Sequence, residues 1–186
     1  MDFLGDVGEL TKAATHFFQS RSDVFSQAVE HMAVCLEKGR KILVFGNGGS
    51  ASQAQHFAAE LVNRYLKIRA PLPAIALSTD TSALTSIAND FSFDLVFSRQ
   101  IEALGEKGDM AIGLSTSGNS QNIIYAFESA RKKGLKTIAI TGNGGGKMAS
   151  VCDYLLDVPS DATPRIQEVH LLILHILAEE IEKKLC

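Results

Sequence analysis

The sequence predicts an α/β fold, a three-layer αβα sandwich on a five-stranded parallel sheet, with a helical segment ahead of it. Three observations lead there: five short apolar runs that read as buried strands, segments between them with apolar spacing of three and four, and glycine-rich turns after several runs. Strands alternating with helices form parallel sheets covered on both faces.

Over 7–38 apolar positions recur at three and four, which gives one or two helices before the first strand. Lys41-Ile42-Leu43-Val44-Phe45 is apolar and partly β-branched, as a buried parallel strand requires. Further strands are expected at 74–77, 110–114, 137–140 and 154–158. Helical patterns lie at 50–66, 82–88, 94–104, 121–133 and 146–151, and a last helix is expected over 164–184. Arg131-Lys132-Lys133, at the end of one of these helices, complements its dipole. Asn143-Gly144-Gly145-Gly146 reads as a structural strand-to-helix turn. With no repeat, low-complexity tract or long linker, residues 1–186 read as one domain, 1–38 helical and 39–186 the α/β core.

Composition narrows the function. Eighteen Lys+Arg against 21 Asp+Glu give a formal net charge of −3, and no basic cluster exceeds the 131–133 triplet, which argues against a nucleic-acid partner. The acidic start Met1-Asp2-Phe3-Leu4-Gly5-Asp6 has no apolar core after it and does not read as a secretory signal. The most apolar stretch, 169–178, is broken by His170 and His175 and is far too short for a membrane span. Cys35, Cys152 and Cys186 have neither metal nor redox spacing, so free thiols in a reducing, cytoplasmic setting are expected.

The chemistry concentrates in three places. Gly46-Asn47-Gly48-Gly49-Ser50 joins the first strand to a helix: the glycines permit close ligand approach, and Ser50 is a candidate helix cap. It matches neither a dinucleotide fingerprint nor a P-loop. His56 and Glu60, four apart on that helix, share a face. After the third strand, Ser115-Thr116-Ser117-Gly118-Asn119-Ser120 brings four hydroxyls to a helix N-terminus, where phosphate binds without a lysine. A polar turn with an N-cap would use only some of them. On the last helix Gln167 and His175, eight apart, lie within roughly a quarter turn of one face, while His170 in its apolar surroundings reads as a core residue. His56, Glu60, Gln167 and His175 could together hold zinc if their two helices met. The sequence leaves that open, and glutamine is an unusual ligand. Ligands of open α/β sheets bind at the carboxyl ends of the strands, where the loops after Phe45, Leu77 and Leu114 converge.

Gly46-Asn47-Gly48-Gly49-Ser50, Gln55-His56-Phe57-Ala58-Ala59-Glu60-Leu61, Thr79-Asp80-Thr81-Ser82-Ala83-Leu84, Ile87-Ala88-Asn89-Asp90, Ser115-Thr116-Ser117-Gly118-Asn119-Ser120 and Arg165-Ile166-Gln167-Glu168 resemble the phosphoheptose isomerases of the sugar isomerase (SIS) family. The likeness covers nearly the whole chain. It implies a flavodoxin-like SIS domain that converts sedoheptulose 7-phosphate to D-glycero-D-manno-heptose 7-phosphate through an enediol, the first step towards ADP-heptose for lipopolysaccharide or related glycans. By motif it implies substrate contacts from Asn47, Gly48, Gly49, Glu60, Asn89, Asp90, Ser115, Thr116, Ser117, Ser120 and Gln167. It implies one zinc per subunit on His56, Glu60, Gln167 and His175, with Glu60 as general base and His175 as its acid/base partner. It also implies a homotetramer, assembled partly through the N-terminal helices, with sites at subunit interfaces where the two helices would meet. The alternative is a non-catalytic regulator of the same family that binds the replication initiator. Glu60 and His175 favour the enzyme. Arabinose 5-phosphate or glucosamine-type isomerase modules, and sugar-phosphate regulators with a helix-turn-helix, are disfavoured because they usually carry further domains.

Overall fold

A computed structural model describes residues 3–186. The chain runs α1 (Phe3–Glu37), β1 (Ile42–Gly46), α2 (Gly49–Val62), β2 (Ala74–Ala76), α3 (Thr81–Asp90), α4 (Ser98–Leu104), β3 (Met110–Ser115), α5 (Gln121–Lys132), β4 (Lys136–Thr141), β5 (Tyr154–Asp157) and α6 (Thr163–Leu185). The five strands form one parallel sheet in the order β2-β1-β3-β4-β5, the flavodoxin-like order of doubly wound sheets. All five expected strands are present, each within two residues of its expected bounds.

Coverage on both faces explains why the central strands carry almost no polar residues. Every residue of β1 and β3 is buried. Side chains alternate between two cores: Ile42 and Val44 of β1 point to the layer of α1, α2 and α6, whereas Leu43 and Phe45 point to the layer of α4 and α5. The N-terminal pattern forms one helix, because no glycine or proline interrupts 9–37. Phe17 and Phe25 bury α1 against the core, and the Arg21 guanidinium grips Asp157 at the end of β5 through bonds of 2.6 and 3.1 Å.

Three helical expectations are corrected. The segment 50–66 is helical only to Val62, and 94–104 divides into a 3-10 turn, Phe93–Leu95, followed by α4. The piece at 146–151 is also a 3-10 turn, Gly146–Ser150. Among the described residues no helix is long and apolar enough to cross a membrane. The arrangement leaves two lines of approach to a ligand. Gly46 pairs with Leu114, so the loops after β1 and β3 leave the sheet side by side at its carboxyl edge, the switch point of this strand order. From that edge α2 and α6 run downward together on one face.

Candidate active site

The turn after β1 depends on Gly48, whose φ of 55° lies in the region that side chains rarely adopt. Gly48, and not Ser50, occupies the cap position of α2; Ser50 is buried within the first helical turn, which corrects its expected capping role. Gly48 and Gly49 remain exposed at the helix start. Asn47 is held from the side by Asn122 at the start of α5, each amide donating to the other's oxygen at 3.0 and 2.9 Å. Its orientation is thus set by a residue that the motifs did not single out.

Beside it the hydroxyls converge. Ser115 Oγ lies 3.0 Å from Ser120 Oγ and 3.5 Å from Ser117 Oγ. Ser120 stands at the N-cap of α5, yet its side chain makes no capping bond, so capping does not account for this hydroxyl. The loop is braced from behind by the glycine turn after β4. A Cβ on Gly118 would stand 2.1 Å from the Gly145 carbonyl oxygen, and the Gly118 carbonyl accepts the Met148 N–H at 2.9 Å. The structural reading of 143–146 therefore holds for its glycines. Asn143, however, joins Thr116, Ser117, Ser160 and Asp161 in lining a cleft of about 230 Å³, a contribution that the turn composition concealed.

The second cluster lies down the α2/α6 groove. His56 Nε2 and His175 Nε2 are 2.9 Å apart, and His56 Nε2 is 3.3 Å from Glu60 Oε1. The expectation that the two helices meet across a subunit boundary is thereby corrected: they meet within one chain. Ligand atoms of His56, Glu60 and His175 all lie within 4.8 Å of one another. Two ligands on one tetrahedral zinc, each about 2.0–2.1 Å from the metal, stand about 3.3 Å apart, so these donors fit the ion in type and spacing. The cluster opens to solvent, with the His56 side chain 44% exposed.

Gln167 sits beside the glycine turn at the start of α2. Its side-chain amide nitrogen lies 2.9 Å from where a Cβ on Gly49 would sit, and its backbone carbonyl accepts from Gln53 Nε2 at 2.7 Å. Eight residues of helix separate it from His175, an axial rise of about 12 Å. The chain thus places the Gln167 amide against the glycine turn, among the substrate-contact candidates. Asn89 and Asp90 are exposed at the end of α3, where Asn89 Nδ2 donates to Asp90 Oδ1 at 2.8 Å. His170 is the core residue expected of it: fully buried, its Nε2 donates to the Thr141 carbonyl at 3.0 Å, and burial pushes the imidazole down to about 4.

One group beneath the site escaped the sequence reading. Glu182, buried on α6, accepts the N–H groups of Tyr65, Leu66 and Lys67, each at 2.8 Å, and Arg69 Nε at 3.0 Å. Burial pushes this carboxyl up, but the three N–H groups and the Arg69 charge outweigh it and hold the group below the usual range. Arg69 also donates to the Glu60 and Leu61 carbonyls at 2.8 Å, closing the end of α2. The available signal was a carboxylate on the apolar stripe of Leu174, Ala178 and Ile181, where an unpaired charge would be costly.

The SIS domain family profile matches residues 7–142. Phosphoheptose isomerase of Sulfurimonas denitrificans is 56% identical over 160 residues, covering 86% of this chain and 82% of that protein. The Helicobacter pylori (strain P12) protein of the same name is 55% identical over 165 residues, covering 89% and 86%. The solved structure of phosphoheptose isomerase from Neisseria gonorrhoeae superposes with a TM-score of 0.91 at 45% identity, over 97% of this chain and 96% of that one. With its sheet order, its paired clusters and a profile match over most of its length, the chain belongs to the SIS domain family.

Proposed function

We propose that the chain is an aldose–ketose isomerase that converts sedoheptulose 7-phosphate into D-glycero-D-manno-heptose 7-phosphate, at the entrance to ADP-heptose synthesis for lipopolysaccharide or related glycans. The observation that carries this is the gathering of a carboxylate and two imidazoles in the groove below a hydroxyl-lined helix start. His56 lies seven residues beyond Gly49, about 10 Å along α2. An extended seven-carbon chain with its phosphate ester spans roughly that distance, taking C–C bonds of about 1.5 Å.

In this reading Ser115, Thr116, Ser117 and Ser120 hold the phosphate, with the N-terminus of α5 favouring its charge. Asn47, Gly48, Gly49 and Gln167 contact the sugar chain where it enters the groove. Glu60 takes the proton from C1 of the ketose, giving an enediol, and returns it to C2. His175 supplies a proton to the C2 oxygen and accepts the one leaving the C1 hydroxyl, which completes the transfer of the carbonyl to C1. His56, Glu60 and His175 would hold one zinc per chain, whose Lewis acidity would stabilise negative charge on the sugar oxygens; Glu60 and His175 carry protons only while they are not bound to that ion, so the catalytic role is assigned ahead of the metal role.

The open face of the cluster gives reason for assembly. A homotetramer would shield the groove from water, and α1 exposes Phe3, Leu4 and Val7 at 68%, 83% and 57% for such a contact. Three free thiols suit a cytoplasmic setting.

The test is incubation of the purified protein with sedoheptulose 7-phosphate, with the product identified by NMR. Glu60→Gln and His175→Gln should each lower turnover by about 10²- to 10⁴-fold, the usual contribution of a positioned proton-transfer group. Near-normal turnover in either variant removes that residue's role. No turnover by the unmodified protein rejects the enzyme and favours the regulator that binds the replication initiator.

A further inference from the structure

Tyr65 belongs to neither of the helices that carry the reacting groups, yet it touches one of them. Its ring lies over the His175 imidazole with centroids 5.5 Å apart and planes inclined at 23°. On another side His56 meets the same imidazole edge-on, at 5.1 Å and 72°. Terminal torsions of histidine are broad and roughly two-fold, so an unflanked imidazole samples many ring planes. An aromatic face laid along it removes most of them and keeps Nε2 directed at His56.

The position of Tyr65 is itself held. After Val62 the backbone leaves the helix, and three successive N–H groups, those of Tyr65, Leu66 and Lys67, converge on the Glu182 carboxylate. Arg69 closes the segment from its far end, pairing with Glu182 and bonding the carbonyls of Glu60 and Leu61. The side chains of Arg69 and Glu182 are 3% and 2% exposed, so this clasp sits in the interior. Glu182 lies two turns beyond His175 on one face of α6. The helix that presents the imidazole therefore also clasps the loop whose ring lies over it.

We propose that Tyr65 is a positioning residue for His175: the Glu182–Arg69 clasp holds its ring against the imidazole, which fixes the direction of Nε2 toward His56 and Glu60. The kinetic part of this inference rests on the isomerase reading, and the spectroscopic part does not. Hydrogen-bond partners that orient a metal-ligating histidine contribute 10- to 100-fold when removed, and a stacked ring that fixes the same torsion is expected to act on that scale.

The test compares Tyr65→Leu, which fills the space without a flat face, with Tyr65→Phe, which keeps the face. Tyr65→Leu should lower kcat for sedoheptulose 7-phosphate by about 10- to 100-fold, with KM within about twofold and the thermal midpoint little changed. Tyr65→Phe should restore kcat. In imidazole NMR spectra the His175 ring protons should be displaced upfield in the unmodified protein and in Tyr65→Phe, and return toward free histidine in Tyr65→Leu. Unshifted His175 protons in the unmodified protein, wild-type kcat in Tyr65→Leu, or equal damage by phenylalanine and leucine would each overturn the proposal. Absence of turnover together with shifted His175 protons would reject the isomerase reading and support the positioning of the ring.

Discussion

Replacing Glu182 with glutamine tests how much of the site's support depends on a single carboxylate. In the folded chain one oxygen takes the Tyr65 N–H and Arg69 Nε, and the other takes the N–H groups of Leu66 and Lys67. Glutamine matches the shape but turns one oxygen into an N–H₂ donor, so two of these donors lose their acceptor and the Arg69 guanidinium loses its counter-charge. Each buried donor left unsatisfied costs about 1–3 kcal/mol, and breaking a buried ion pair from one side costs about 3–5 kcal/mol, so a loss of about 3–5 kcal/mol is expected. For a chain of this length that lowers the thermal midpoint by about 6–20 °C. Arg69→Met should cost a similar amount: it keeps the three backbone N–H bonds to Glu182 but leaves that carboxylate buried without its counter-charge and frees the Glu60 and Leu61 carbonyls. The carboxyl is held below its usual range when folded. Its stabilisation is therefore present above the unfolded value near pH 4.3 and lost as pH falls through the folded one, so acidification should narrow the gap between Glu182→Gln and the unmodified protein. Urea unfolding at neutral and acid pH measures all three quantities. A Glu182→Gln variant within 1 kcal/mol of the unmodified protein would refute the reasoning.

Three further outcomes follow from the site and its surroundings. Ser120→Ala should raise KM roughly tenfold or more with little change in kcat, since a hydrogen bond to a charged group contributes about 1.5–3 kcal/mol and the phosphate contact is made in ground and transition states alike. Because Ser120 makes no side-chain cap, its thermal midpoint should stay put, and a kcat loss without a KM change would contradict the assignment. Gly118→Ala, at φ 64° and against the Gly145 carbonyl, should destabilise by about 1–3 kcal/mol and weaken substrate binding, measured by unfolding and by KM. The buried His170 imidazole, pushed down to about 4, resists a proton that the unfolded chain accepts near pH 6.5. Its contribution is complete above pH 6.5 and falls by about 3 kcal/mol as pH drops to 4, so His170→Gln should flatten that part of the acid limb. An unchanged slope would assign the acid sensitivity to other groups.

What the sequence disclosed and what it withheld divide along the range of the interactions. Ile42-Leu43-Val44-Phe45 reads as a strand because coverage on both faces demands apolar residues throughout, and His56 with Glu60 reads as a pair because four residues of helix place them on one face. The meeting of α2 with α6 is tertiary, and no spacing within either helix specifies it. The apolar pattern continues past Val62 as far as Leu66, yet the helix stops because Arg69 and Glu182 satisfy the backbone groups released there. Glu182 follows Glu179 and Glu180 and so resembles part of a solvated acidic face, and only its place on the stripe of Leu174, Ala178 and Ile181 sets it apart. Asn89 and Asp90 lie in a motif that is easily recognised, and in the folded chain both are exposed and bonded to each other.

The imidazoles that face each other across the groove are 119 residues apart in the chain. During synthesis at about 5–20 residues per second, roughly 6–24 s pass between the appearance of His56 and that of His175. Throughout nearly all of that interval the nascent chain carries Glu60, and over its second half the hydroxyl loop as well, without the partner that would make them reactive, and Glu182, the anchor of the loop after α2, is made later still. Competence therefore arrives with the last helix. A prematurely released chain lacking α6 would have all five strands of the sheet and a polar pocket for phosphate, but no paired imidazoles with which to act on a sugar.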